Sequence, residues 1–349
     1  LVSVKRTRIA CLPVAGPDNP YQHLMMEGLN ESGTLWAFNG ADDKFLGVLR
    51  TVLKHKPDYL HFDWIVSYYY RRWRWLTYLS VPLFCLQILI IKYLFRVKLV
   101  WTLHNILPHD LDLVPVHRFC QRFMAGHCVW IRVFSGTSVA KAAQELQVPA
   151  TRFRVVPEGD YTTYYPTHSQ QEEARKYLGI PSSGRVLLYL GLIKPYKGVL
   201  ELLEAFQQID PPDTCLLVAG KIMDQAYGEA IKKVPSERIR LVDAFIPPSE
   251  LHYYLSAADL VVLPFKQIEN SGSVILAMGF SKPIVAPALG AVQERLAQQS
   301  QLLYQPGETL KEKLQMVLAM PKDVLESAGN RNFRALSNYH WGDFAALFL

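Results

Sequence analysis

Three short stretches set polar side chains at the ends of apolar runs, and each carries residue types that could do chemistry. In GLIKPYKG (191–198) a glycine and then two lysines follow the apolar run RVLLYL. Gly191 permits close backbone approach, and Lys194 and Lys197 place two cations where a phosphate or diphosphate would find charge-assisted hydrogen bonds. The GxxxxGK[ST] spacing of a Walker A loop is absent, and a solvated basic turn is the competing reading. In ENSGSVILAMGFSKPIVAP (269–287) a polar loop leads into a helix and then a buried strand. Ser271, Gly272 and Ser273 fall at the helix start, where unpaired amides and partial positive charge suit an anion. Glu269 sits just upstream, and an ordinary N-cap would look the same. In WTLHNILPHD (101–110) a strand delivers His104 and Asn105 to its carboxyl end, with His109 and Asp110 close behind. A histidine there can hydrogen-bond a substrate or move a proton near neutral pH. One that merely orders the loop is the alternative. No further His or Asp cluster stands at ligand spacing, so a metal is unsupported.

The elements that must position these loops alternate along the chain. The first half reads as strands at 8–14, 33–38, 57–64, 98–105, 129–134 and 153–159. Helices are expected at 19–33, 44–56, 115–126 and 138–147, and the long apolar segment 75–95 lies among them. The second half reads as strands at 185–191, 214–220, 238–244, 260–265, 282–287 and 301–306. Helices are expected at 199–209 and 247–259, the latter with Ser249 as N-cap. Val/Ile/Leu-rich strands alternating with helices predict parallel sheets covered on both faces, an α/β class. Two such runs predict two doubly wound domains, 1–165 and 166–330, joined near a polar stretch. The aromatic tail, 331–349, is expected to end in a packed helix. Open parallel sheets bind ligands at the carboxyl ends of their strands, where all three loops lie.

With 349 residues, 50% hydrophobic and 19% charged, the chain is folded, and its length suits two domains. The net charge of +6 is unevenly spread: residues 1–165 hold 19 Lys/Arg against 12 Asp/Glu, and residues 166–349 hold 18 against 19. The basic half therefore predicts an acidic partner. Between Trp64 and His109 there is no acid, but there are six cations (Arg71, Arg72, Arg74, Lys92, Arg96 and Lys98), with aromatics interleaved as in YYYRRWRW. The uncharged run YLSVPLFCLQILII (78–91) falls short of the roughly 20 residues that span hydrocarbon, which makes it a buried or interfacial helix. Peripheral attachment of residues 64–109 to an anionic membrane, on its cytoplasmic face, is the expectation. Nucleic acid ranks lower because no nucleic-acid module is recognisable. Five cysteines without a CxxC read as core thiols in a reducing compartment. No secretory signal is read, and Leu1 in place of a methionine leaves the native start open.

Together the loops resemble a known family. FSGTSVAKAAQELQVPATRFRVVPEGDY, YLGLIKPYKGVLELLEAF, LLVAG, ELHYYLSAADLVVLPF and ENSGSVILAMGFSKPIVAPALGAVQE stand in the order and spacing of nucleotide-sugar glycosyltransferases of the GT-B type, family 4. In the first half, PDYLHFDW and WTLHNILPH are similar to exopolysaccharide-type members. The resemblance implies two Rossmann-like domains facing an interdomain cleft, the first taking the acceptor, the second the donor, with the last helix crossing back. It implies that Lys197 neutralises the donor diphosphate, that Ser271, Gly272 and Ser273 hold it, that Glu269 contacts the transferred sugar, and that His104 lies near the reacting centre. Asn105 and His109 would stand on the acceptor side. Two departures stand out: the second acid of the family's glutamate pair is Ala277, and the arginine after the donor-loop glycine is Leu192, for which Lys194 would substitute.

The resemblance thus implies a retaining transfer of a hexose from a UDP- or GDP-sugar to an acceptor hydroxyl, lipid-linked given the basic, aromatic segment. No cofactor and no metal are expected. The rival readings are a degenerate GT-B protein that binds sugar nucleotide or glycan without turnover, favoured by Ala277 and Leu192, and a sugar-nucleotide epimerase of the same architecture.

Overall fold

Twelve short strands, rich in Val, Ile and Leu, form two parallel six-stranded sheets in a computed structural model that describes residues 6–16, 19–106, 112–165, 168–234 and 236–349. The first sheet holds β1 (Thr7–Leu12), β2 (Leu35–Asn39), β3 (Tyr59–Phe62), β4 (Lys98–Thr102), β5 (Trp130–Val133) and β6 (Phe153–Val155), in the order β2-β1-β3-β4-β5-β6. The second holds β7 (Arg185–Leu190), β8 (Thr214–Ala219), β9 (Ile239–Val242), β10 (Leu260–Val262), β11 (Ile284–Pro287) and β12 (Leu303–Tyr304), in the order β12-β11-β10-β7-β8-β9. Each order reverses once, between β1 and β3 and between β7 and β10. Loops leaving neighbouring strands diverge there, and that divergence opens a crevice for ligands.

The strands are largely apolar because helices bury both faces of each sheet. Leu60, Val100 and Ile131 are fully enclosed in the first sheet, and Leu187, Leu216 and Ile284 in the second. Buried polar side chains interrupt the first sheet: His61 on β3, Thr102 on β4 and, on β5, the cation Arg132. Its guanidinium is satisfied by the carbonyls of Val156 (2.9 Å) and Pro157 (2.7 Å) and by the Tyr21 hydroxyl (3.2 Å), and it lies over the Phe344 ring at 4.4 Å.

The chain divides into two units, Leu1–Gly159 with Tyr339–Leu349, and Asp160–Asn338. The division therefore falls after residue 159, ahead of the expected 165. The return to the first unit begins at Tyr339, since the helix Lys322–Ala335 stays with the second. The tail forms a 3-10 helix over Trp341–Leu347. So short a segment has little helical stability of its own; packing sets its shape, with Phe344 and Phe348 edge-on to Trp130.

Other boundaries also move. The helix expected at 247–259 runs only Leu251–Ala257, with Glu250 as N-cap and no side-chain capping bond, so Ser249 does not cap it. The strand expected to reach 265 ends at Val262 because Pro264 has no N–H to continue the ladder. The apolar segment forms the helix Arg74–Leu89, continued by a π-turn at Ile90–Leu94. Cys11, Cys120 and Cys128 are buried, and all five thiols are free.

The tail closes tightly over the helix Pro20–Glu31. A Cβ on Gly28 would meet the Trp341 backbone at 2.6 Å. Overpacking of this kind costs about 1–3 kcal/mol. Gly28→Ala is therefore expected to lower the melting temperature of the chain; an unchanged melt would show that Trp341 gives way freely.

Candidate functional site

In the second unit, two loops meet at the reversal between β7 and β10. Gly191, just past β7, has φ 146°, a region that favours glycine, and a Cβ there would lie 3.1 Å from the Ser273 hydroxyl. Further along, Gly198 (φ 72°) lies so close to Pro264 that a Cβ would stand 2.0 Å from its carbonyl oxygen. The amide of Lys266 donates to the Tyr196 carbonyl at 2.9 Å. The donor-loop glycines are thus what let residues 191–198 pack against residues 264–273.

Lys197 stands over Phe265 (4.5 Å to the ring centroid) and Tyr196 (5.3 Å), and among the described residues no carboxylate pairs with it. Burial, then the neighbouring Lys194 charge, push its ammonium down to about 8. An anion beside this ammonium would favour its charged form and raise the value again. Ser271 is the N-cap of the helix Gly272–Gly279, yet its hydroxyl makes no capping bond and is buried without a partner. Gly272 is exposed and Ser273 partly so, which leaves the first amides of the helix approachable. Glu269 is half-buried in the loop before them, its carbonyl accepting from Ala291 N at 3.0 Å. The structure therefore brings Gly191, Ser271, Gly272 and Ser273 to one edge, with Lys194, Lys197 and Glu269 on the same two loops.

Ala277 is fully buried, so a glutamate there would carry its charge into packed surroundings. Leu192 is exposed.

In the first unit, β3 and β4 lie side by side and release Asp63 and His104 at their carboxyl ends. His104 Nε2 is 3.0 Å from Asp63 Oδ1, and Gln22 Nε2 donates to Oδ2 at 3.1 Å. Burial works to raise the Asp63 carboxyl. The neighbouring His61 and His104, with hydrogen bonds from His104 and Gln22, outweigh it and hold the group below its ordinary value. An ionised carboxylate only accepts, so the Nε2 proton points to Asp63 and Nδ1 is left as the ring's acceptor. Among the described residues Nδ1 has no partner. Stacking on Trp64 (4.7 Å) and edge contact with Tyr21 (4.9 Å) fix the ring. Beneath it, burial pushes His61 down to about 4, and its Nε2 bonds Thr102 at 2.8 Å.

Asn105 is exposed beside His104; His109 lies outside the described residues. A cavity of about 320 Å³ at this edge is lined by Asn19, Asp42, Lys44, Trp64 and Ser67 among others. Asp63, Trp64 and Gln22 were missed from sequence, although HFDW places an acid and an indole at a strand's carboxyl end. A larger cavity, about 680 Å³, opens at the opposite edge of the second sheet around Arg175, Asp259 and Lys282, and holds none of these residues. Among the described residues no three His, Cys, Asp or Glu side chains converge as a metal would require.

Known proteins supply the context. Residues 170–332 match the family Glycosyl transferases group 1. The fold matches that of the Anabaena protein HepE in complex with UDP and glucose, with TM-score 0.73 and 17% identity over 98% of both chains. It also matches sucrose-phosphate synthase from Thermosynechococcus elongatus, with TM-score 0.73 and 17% identity over 98% of this chain and 97% of that one. Residues 170–332 thus carry a glycosyltransferase group 1 domain, and the fold is GT-B. Among the chain's relatives, the GDP-mannose:glycolipid 4-beta-D-mannosyltransferase of Xanthomonas campestris pv. campestris is 28% identical over 304 residues, 84% of this chain and 81% of that one. The lipopolysaccharide 1,2-N-acetylglucosaminetransferase of Salmonella typhimurium is 30% identical over 168 residues, 44% and 43% of the two chains.

Two outcomes follow. If a diphosphate raises the Lys197 pKa on binding, the contribution is complete below about 8 and fades as pH rises toward the bound value. Calorimetry with UDP and GDP should show affinity falling above that pH. Lys197→Ala should remove this dependence and weaken binding by roughly tenfold to a hundredfold; a variant binding as wild type refutes the assignment. Ala277→Glu should lower stability by about 3 kcal/mol or more, because it buries an unpaired charge. A melt unchanged from wild type would place residue 277 at the surface.

Proposed function

We propose that this glycosyltransferase moves a hexose from a UDP- or GDP-sugar to a hydroxyl of a lipid-linked glycan, working peripherally on the cytoplasmic face of a membrane. The observation that carries the donor half is Lys197, a partly buried ammonium with no carboxylate partner among the described residues, on a loop packed against that of a helix start with an unpartnered serine hydroxyl. A diphosphate would meet both features. The names of similar proteins support the substrate classes: GDP-mannose and a glycolipid for the Xanthomonas relative, UDP and glucose for HepE.

The chemistry divides between the two half-sites. Lys197, with Lys194, and the amides of Gly272 and Ser273 take the charge of the departing nucleoside diphosphate, a role that needs no resident metal. Glu269 orients the transferred sugar. The acceptor sugar sits in the cavity beside Trp64, whose indole offers a stacking surface and whose neighbours Asp42 and Asn19 offer hydrogen bonds. Asn105, exposed beside His104, stands on that acceptor side. His104 Nδ1 accepts the proton of the attacking hydroxyl, and Asp63 stabilises the resulting imidazolium.

Family resemblance implies retention of anomeric configuration. The His104–Asp63 pair favours a second reading, inversion, since a general base activates direct attack on the face opposite the leaving group. The first-formed anomer, read by NMR, separates the two.

The test of the acceptor half is kinetic. His104→Ala should lower kcat by roughly a hundredfold or more while donor Kd stays near wild type, and Asp63→Asn should act in the same direction. A lower melting temperature with normal specific activity would make the pair structural. Sugar release from a donor panel without transfer to any acceptor would remove the transferase reading.

A further inference from the structure

The helix Arg74–Leu89 and its continuation to Leu94 are amphipathic in the wrong sense for water. Trp75, Tyr78, Leu79, Leu86, Tyr93 and Leu94 recur at helical spacing, and each is 54–73% exposed. The inward face carries Thr77, Ser80 and Gln87 among Phe84, Ile88 and Ile91, all buried. Gln87 and Thr77 are engaged. Gln87 Nε2 donates to the Phe45 carbonyl at 2.8 Å, its Oε1 accepts from Leu49 N at 3.2 Å, and Thr77 Oγ1 accepts from Arg71 N at 2.9 Å. A helix facing water would put such residues outside and its Leu, Tyr and Trp inside.

By length and composition this 21-residue helix could cross a bilayer. Its packing forbids that. It links β3 to β4, neighbours in one sheet, and Phe84, Ile88 and Ile91 belong to the core beneath. Only the outer stripe is available. Both ends of the stripe are cationic: Arg72 at the start and Arg96 past the end are exposed and lack an ion-pair partner among the described residues. Trp73 and Trp75 stack beside the first (6.3 Å between centroids). Apolar side chains between flanking Arg and Trp/Tyr match the depth profile of a bilayer interface.

We infer that this stripe lies in the headgroup and upper acyl region of an anionic membrane, holding the first unit at the surface from which a lipid-linked acceptor is drawn. The inference deepens the proposed function only in the source of the acceptor. The cavity beside Trp64 is lined also by Ser67 and Tyr68, a few residues before the stripe begins. An acceptor sugar there would leave its lipid in the layer that Trp73 and Trp75 occupy.

Flotation of the whole chain with vesicles tests this. With phosphatidylcholine containing about one-third phosphatidylglycerol, at low salt, the protein should float, and pure phosphatidylcholine should recover less of it. Leu79→Ser/Leu86→Ser/Leu94→Ser should cut recovery roughly tenfold or more, and Arg72→Glu/Arg96→Glu should cut recovery on the anionic vesicles. Melting temperature and nucleotide binding by calorimetry should stay at wild-type values in both, which separates this result from failure of the donor site. Wild-type protein that stays unbound overturns the inference, as does a triple variant that floats equally well. A wild-type dimer that the triple variant dissolves would assign the stripe to a second copy and also overturn it.

Discussion

A buried carboxylate organises the first unit. Asp63 leaves β3 at a point with no access to water, so its charge must be met by protein groups. Gln22 and His104 meet it directly, and His61 stands 3.9 Å away. Each then needs a fixed position. Gln22 also donates to the Pro13 carbonyl and accepts from Ala15 N, which ties the loop after β1 to the end of β3. His104 is gripped between Trp64 and Tyr21, and the Tyr21 hydroxyl reaches Arg132. One desolvated charge therefore sets the loops at the sheet reversal, the tautomer of a histidine and the wall of a cavity. Removing it would leave several donors unmet, at a cost well above that of a typical surface substitution.

The second unit reaches order by another route. Its loops are held by backbone proximity at glycines. Gly191 against Ser273 and Gly198 against Pro264 bring two loops together closely enough that a side chain would separate them. That closeness sets the Lys197 ammonium and the first amides of the helix Gly272–Gly279 on adjoining loops. Rigid donors aimed in advance need no reorganisation when charge develops on a leaving group.

Much of this was legible in the sequence, for identifiable reasons. The helix Val199–Ile209 falls where its apolar spacing placed it, because Gly198 and Asp210 bound a clear period. The parallel sheets and the loop positions followed from strand composition. Helices such as Gln171–Leu178 and Gln225–Lys232 were not read, being short and polar with few apolar residues to mark a face. The setting of Ala277 was hidden for the opposite reason: VILAMG is apolar all round, so nothing in its pattern tells which side looks outward. The partnership of Asp63 and His104 spans 41 positions and depends on β3 and β4 being neighbours in register. The two residues could be suspected singly, at strand ends, but the bond between them is tertiary.

Trp341 packs against Gly28 and lies edge-on to Tyr21, 5.5 Å between centroids, while Tyr21 in turn touches His104. On the ribosome, the first sheet is synthesised long before this tryptophan, and the whole second unit is made in between. Domains tend to fold in the order they emerge. Here the earlier domain lacks the Phe344 ring over Arg132 and the Trp341 ring against Tyr21 until residues 339–349 arrive to supply them. Completion of the histidine's surroundings thereby follows the synthesis of the second unit.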